Sequence, residues 1–261
     1  MKAASSLLFV FSLILGISAN AFSVREDALI LYYNFDAGTG DTVKDVSGNG
    51  HDGDIFGSPE WINSDFGKAL SFEGVAQTDR QYIDIHGILP IGDTDNTVSL
   101  WVRVPPDSNG GGTNRVGILL GNYNKSLNSN WELHGNGQIR IWWNNGQLDL
   151  KGNKDLRDDE WYHIVFVRNK TAGRLEMYVD GSLDAMVASA GTDVIWQDEH
   201  RVAGDKRGDN SPWFHGAMDE LAVWNVALSE DEIKQLANGV LVAVYPAGKL
   251  GTTWCRVKSG H

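Results

Sequence analysis

From residue 28 to residue 245 the chain is a succession of short strand-like runs closed by Gly, Asn or Asp, and no stretch before Ser229 carries a helical period. Candidate strands are Leu29 to Phe35, Ala69 to Phe72, Tyr82 to Ile85, Val98 to Val104, Val116 to Leu120, Trp131 to His134 and Ile139 to Trp143. Trp161 to Val167, Leu175 to Val179, Leu183 to Val187, Arg201 to Gly204 and Met218 to Trp224 complete the series. Such punctuation excludes alternating β and α units, whose parallel strands need helical crossovers. It leaves an all-β, two-sheet antiparallel sandwich. One short helix is appended: Ser229 with Glu232 forms a capping box, and Asn238-Gly239 supplies the stop.

The ends read differently from the middle. Lys2 precedes an apolar run from Leu7 to Ile17, and Ala19-Asn20-Ala21 is a small-x-small cleavage pattern. Residues 1–21 are therefore expected to be a signal peptide, with residues 22–239 forming the domain and 240–261 a tail of unassigned role. Export to the cell surface, the periplasm or the medium follows, and no later apolar run is long enough to span a bilayer. The single cysteine, Cys255, has no intrachain partner and is left free or available for an intermolecular disulfide. A formal net charge of -12 disfavours nucleic acid and anionic lipid as partners and suits an extracellular cation.

Two hairpins can be placed in register. Asp180-Gly181 separates two alternating runs, a strong two-residue turn signal. At Gly135-Asn136-Gly137 only a three-residue loop keeps Trp131 and Leu133 on the face of Ile139 and Ile141. Glu132 then lies opposite Arg140, and His134 and Trp142 share their outward face. Val98 to Val104 has the same polarity, with Trp101 and Arg103 on its outward side. One sheet is thus expected to present Trp101, His134, Arg140 and Trp142 to a ligand. An aromatic ring stacks on the C–H face of a sugar while polar neighbours bond its hydroxyls, and ten tryptophans supply such rings. The competing placements are core filling by these tryptophans and recognition at a loop rim, with Trp213 and the Asp205 to Asn210 loop as its seat.

In the run Met218 to Trp224, period 2 puts Asp219 on the face of Leu221 and Val223, directed toward a core. A buried carboxylate needs a cation or hydrogen bonds from loop amides, and Asp219 is a candidate for either.

Seven motifs in order carry a family likeness. They are Leu31-Tyr32-Tyr33-Asn34-Phe35-Asp36, the loop Asp45 to Gly53, Phe66 to Gly74, Val98 to Val102, Glu160 to Val165, Met177 to Gly181 and Phe214 to Leu221. Through them the chain resembles the laminin G-like domains of the concanavalin A-like lectin/glucanase superfamily. The resemblance implies a two-sheet antiparallel jelly roll, recognition of glycan or extracellular protein, and in many members a calcium ion. In related glucanases an Asp on the last core strand contributes to such a site, and Asp219 occupies the matching motif. Calcium takes six to eight oxygens, and the first and last strands of such sandwiches often lie side by side, so Asp36, Asp45 and Asn49 join Asp219 as candidate metal ligands. For Asp45 and Asn49 the competing role is turn formation.

No catalytic residue is assigned. The Glu-x-Asp-x-x-Glu pattern of the superfamily's glucanases, which sets nucleophile and acid on one strand face, does not occur. Neither does a Gly-x-Ser-x-Gly elbow or a His-Glu-x-x-His helix. The expected function is an exported, non-catalytic recognition domain for carbohydrate or extracellular protein, supported by calcium. The alternatives are a glycoside hydrolase or lyase whose acids converge from separate loops, and a structural component of a surface assembly.

Overall fold

Asp180 and Gly181 adopt φ of 48° and 75°, the paired left-handed conformations of a type I′ turn, so the strands on either side meet at Val179 and Ser182. Local rules of this kind recur along the chain. The computed structural model describes residues 24–74, 80–108, 115–124, 127–194, 200–204 and 213–239. The expected signal segment, the tail with Cys255 and the Asp205 to Asn210 loop lie outside the described residues.

The strands are β1 (Leu29–Tyr33), β2 (Thr42–Val43), β3 (Gly53–Phe56), β4 (Glu60–Asn63), β5 (Lys68–Glu73), β6 (Tyr82–Ile85), β7 (Asn96–Arg103) and β8 (Arg115–Asn124). They continue with β9 (Leu127–His134), β10 (Ile139–Trp143), β11 (Leu148–Lys151), β12 (Trp161–Asn169), β13 (Arg174–Val179), β14 (Ser182–Val187), β15 (Arg201–Val202) and β16 (His215–Trp224). A helix, α1 (Glu230–Ala237), follows. All pairings are antiparallel. The first sheet runs β14-β13-β12-β7-β16-β5-β4, with β1 also on β16, and the second runs β11-β10-β9-β8-β15-β6-β3-β2.

Every candidate strand is present. Four further strands, β2, β3, β4 and β11, were not expected; each has only two to four residues and too little alternation to signal itself. The first strand is shorter than its apolar run, because Phe35 turns to a φ of 50° and leaves the extended region.

The sheets close on one apolar layer to which Leu31, Leu70, Val98, Leu100, Trp131, Ile141, Trp143, Phe166 and Val223 contribute. A second, smaller cluster forms on the outer side of the first sheet. There Ile233 and Leu236 of α1 cover Tyr32, Val165, Val167, Tyr178 and Trp224. The Ser229 hydroxyl accepts the Glu232 amide and the Glu232 carboxylate accepts the Ser229 amide, a cap contributing about 1 kcal/mol. The helix is thereby fixed over part of that outer face.

Candidate functional site

The Gly135-Asn136-Gly137 hairpin sets the parity of β9 and β10. His134 accepts the Gly137 amide and donates to the Gln138 carbonyl, leaving a three-residue loop that pairs Ile139 with Leu133 and Arg140 with Glu132. Ile139, Ile141, Trp131 and Leu133 face the core, as the spacing required. Asn130, Glu132, Arg140 and Trp142 therefore point to the opposite face.

That face holds a connected polar array. Arg140 donates to Asp149 at 2.6 Å and to Glu132 at 3.1 Å, and the Asn130 amide donates to the other Glu132 oxygen at 3.1 Å. Burial works against the Arg140 charge, but Asp149 and Glu132 outweigh it and hold the guanidinium above its ordinary pKa. Asp149 is correspondingly held below the usual carboxylate range by Arg140. The guanidinium lies 4.5 Å from the centre of the Trp142 ring, a cation–π contact. Gly146, at a φ of 79°, lets the following turn lie against the same ring, where a Cβ would come within 2.4 Å. Trp142 remains half-buried. His134 bonds to Asn136 of its own turn at 3.1 Å and stays at the end of the hairpin.

The array extends across the sheet in one line of register: Asp84, Arg201, Gly121, Asn130, Trp142, Asp149. Gly121 lowers the middle of the line. At the far side Arg201 grips Asp84 through two hydrogen bonds of 2.7 and 3.2 Å and stacks 3.7 Å from the Tyr82 ring centre. Tyr82 in turn stacks on Phe56 at 4.8 Å and meets Trp213 at 5.7 Å. The oxygen of the Asn130 side chain is buried and has no hydrogen-bond partner among the described residues. Sequence reading missed Phe56, Tyr82, Asp84 and Arg201. The alternation in Tyr82 to Ile85 placed Tyr82 and Asp84 on one face, but nothing in the sequence joined that strand to β15 or to the hairpin. Trp213, the expected seat of rim binding, is nearly buried behind Tyr82 and Arg80.

Trp101 does not belong to this group. Strand β7 lies in the other sheet, so its outward face points to the opposite side of the molecule from Trp142. There Trp101 packs on Phe66 at 4.3 Å and on His163 at 5.2 Å. Alternation gives parity within a strand and says nothing about which sheet the strand joins.

Asp219 is buried, but on the face opposite to the one expected. The pairing of β16 with β7 shifts between Asp219 and Ala222, and Glu220 takes a φ of 54°: a β-bulge inserts one residue and reverses parity. Met218, Leu221 and Val223 face the inter-sheet core, while Asp219 sits beside Trp101 on the outer side. Its carboxylate accepts the Ser64 hydroxyl at 2.5 Å and the Glu220 amide at 2.8 Å. Burial pushes its pKa up to about 7, and the Asp36 charge adds to the rise. Glu220 is also pushed up, by burial and then by Asp219, and accepts the Tyr32 hydroxyl.

The four candidate metal ligands fall into two places. Asp36, beyond the end of β1, approaches Asp219 as β1 pairs with β16. Asp45 instead accepts the amides of Tyr32, Ser47 and His51 at 3.0 to 3.1 Å, and Asn49 donates to the Leu29 carbonyl at 2.9 Å. Both tie the loop to β1. Among the described residues no group of three or more His, Cys, Asp or Glu is arranged to hold a metal ion.

A laminin G family model, described as the concanavalin A-like lectin/glucanases superfamily, matches residues 77–234. Human pentraxin-4 is 32% identical over 106 residues, which is 37% of this chain and 21% of that protein. The rat sushi, von Willebrand factor type A, EGF and pentraxin domain-containing protein 1 is 26% identical over 106 residues, 36% of this chain and 3% of the relative. The matched segment is thus a small part of either relative. Domain 4 of AbnA, a GH43 extracellular arabinanase from Geobacillus stearothermophilus solved with arabinotriose, superposes with a TM-score of 0.64 at 20% identity. The match covers 80% of this chain and 98% of that domain. The binding domain of botulinum neurotoxin DC, solved with rat synaptotagmin II, gives a TM-score of 0.65 at 14% identity over 82% of this chain and 52% of its own. At such identities the likeness establishes the jelly-roll fold alone. Among the described residues no helix is long and apolar enough to cross a membrane.

Proposed function

Because the chain belongs to the concanavalin A-like lectin/glucanases superfamily, we propose that it is an exported, non-catalytic recognition domain that binds glycan on the outer face of the sheet containing β9 and β10. The observation that carries this reading is the line of polar and aromatic side chains across that face, from Asp84 and Arg201 through Gly121 and Asn130 to Trp142 and Asp149. A sheet face meant only for packing would be apolar. This one holds a guanidinium and a carboxylate almost wholly out of water, fixed by each other and by Asp149. Fixed donors and acceptors flanked by rings suit a ligand whose hydroxyls both give and take hydrogen bonds.

Export rests on the Leu7 to Ile17 run and the Ala19-Asn20-Ala21 cleavage pattern. Calcium enters the proposal only at Asp36 and Asp219, with carbonyls and water supplying the remaining oxygens. The absence of a paired-acid strand motif supports a non-catalytic role. The test is a glycan-array screen of residues 22–261 with and without calcium. Selective binding of a saccharide class supports the proposal. An empty array alongside saturable binding to an extracellular protein would replace glycan with a protein partner.

A further inference from the structure

The helix-bearing sheet has an outer face of its own, and α1 covers the part over β1, β12, β13 and the Ala222–Trp224 end of β16. The uncovered part carries a second line of register across five strands: Trp161, Arg103, Ala217, Ser71, Glu60. Two small residues, Ala217 and Ser71, lie side by side in its middle and leave a depression of about 210 Å³. Arg103 and Asp159 wall one side, Ile62 the other, and Glu73 with its cross-strand neighbour His215 closes one end. Arg103 is held rigid, since its Nε and Nη2 atoms grip both oxygens of Asp159 at 2.8 and 2.6 Å.

The groups facing the depression are unspent. Among the described residues the Glu73 carboxylate, the His215 imidazole and the Ser71 hydroxyl make no side-chain hydrogen bond, and the Arg103 Nη1 atom points no bond at Asp159. An anion would be opposed by Glu73 and Asp159, while a simple cation would find one unpaired carboxylate, Glu73, and would leave the Arg103 and His215 donors unused. A ligand that donates and accepts in the same small volume satisfies all four groups. We propose that this depression is a second saccharide subsite, taking one neutral sugar ring, on the side of the molecule opposite to the β9 and β10 face. Glu73 and Ser71 receive ring hydroxyls, Arg103 and His215 donate to them, and Ala217 leaves room for the ring. Two sites on opposite faces would let one domain bridge two glycan chains, with the gain in apparent affinity that multivalency brings. The subsite shares its ligand class with the function proposed above, but no residue with that site.

The experiment is an NMR titration of residues 22–261 with a panel of neutral hexoses and pentoses, with glucuronate as the anionic control. The His215 imidazole signal is identified by its loss in His215→Ala. A neutral sugar should shift that signal saturably and glucuronate should not. Ala217→Trp, which fills the floor from the solvent side, should abolish the shift while the remaining histidine signals keep their folded positions. Glu73→Gln should weaken it by about tenfold, the worth of a hydrogen bond to a charged group. Trp142→Ala should leave it unchanged. If sugars bind but the His215 signal never moves, this subsite is wrong and the first site stands. If the His215 signal moves and Trp142→Ala loses no binding, the subsite stands and the first site is wrong.

Discussion

Replacing Asp219 by Asn isolates the cost of holding a carboxylate inside the bulge of β16. Burial moves the Asp219 pKa from 3.8 to about 7. A folded pKa above the unfolded one means that folding favours the proton. The stability this group contributes is full below the unfolded pKa and is lost as pH rises through the folded one. At 1.36 kcal/mol per unit, the shift caps the loss at about 4 kcal/mol, of which roughly 2–3 kcal/mol falls between pH 5 and pH 8. Glu220, raised for the same reason, acts in the same direction. His163 opposes both: burial lowers its pKa from 6.5 to about 3, so the unfolded chain takes up its proton first and stability falls as pH drops below 6.5. The wild-type profile alone therefore mixes two opposite slopes. The difference between wild type and Asp219→Asn removes the His163 contribution. Asparagine keeps an oxygen for the Glu220 amide, and the Ser64 hydroxyl turns from donor to acceptor. Urea denaturation in chelator should show the variant gaining roughly 2–3 kcal/mol on wild type between pH 5 and pH 8. An equal difference at the two pH values would mean that burial does not raise the Asp219 pKa.

Arg140→Ala should cost about 3–5 kcal/mol, since it strands Glu132 in a site nearly closed to water, whereas Arg103→Ala at a half-exposed pair should cost about 0–1 kcal/mol. Equal losses in denaturant titrations would mean that the Arg140 network is not truly buried. Calcium should raise the melting temperature of wild type more than that of Asp219→Asn, and superimposable curves in calcium and chelator would remove the ion from the proposal. Incubation with a broad polysaccharide panel should release no product. Sustained turnover that disappears in Glu132→Gln would promote the hydrolase reading.

The parts of the fold set by local rules were readable. The two hairpins, the capped helix and the partnering of Glu132 with Arg140 depend on turn geometry and parity over a few residues, and all stand as expected. The pairing of the first and last strands also stands as expected. What failed needed information that alternation does not carry. Trp101 has the right parity in the wrong sheet, because sheet membership is decided by long-range pairing. Asp219 lost its expected face to one bulge residue, Glu220, whose left-handed backbone has no signature in a run otherwise suited to regular strand. Phe56 went unnoticed because its strand has only four residues, and Arg201, whose strand was expected, went unplaced because its pairing with β6 and β8 is long-range.

Glycan is proposed to bind the face on which Asn130, Arg140 and Trp142 lie. Calorimetric titration of wild type and Trp142→Ala with the strongest array ligand measures how much of the binding that face supplies. A loss of about 1–3 kcal/mol is expected in the variant, as for aromatic truncation at a binding hot spot, with the melting temperature preserved. Unchanged affinity in a folded Trp142→Ala protein would contradict it.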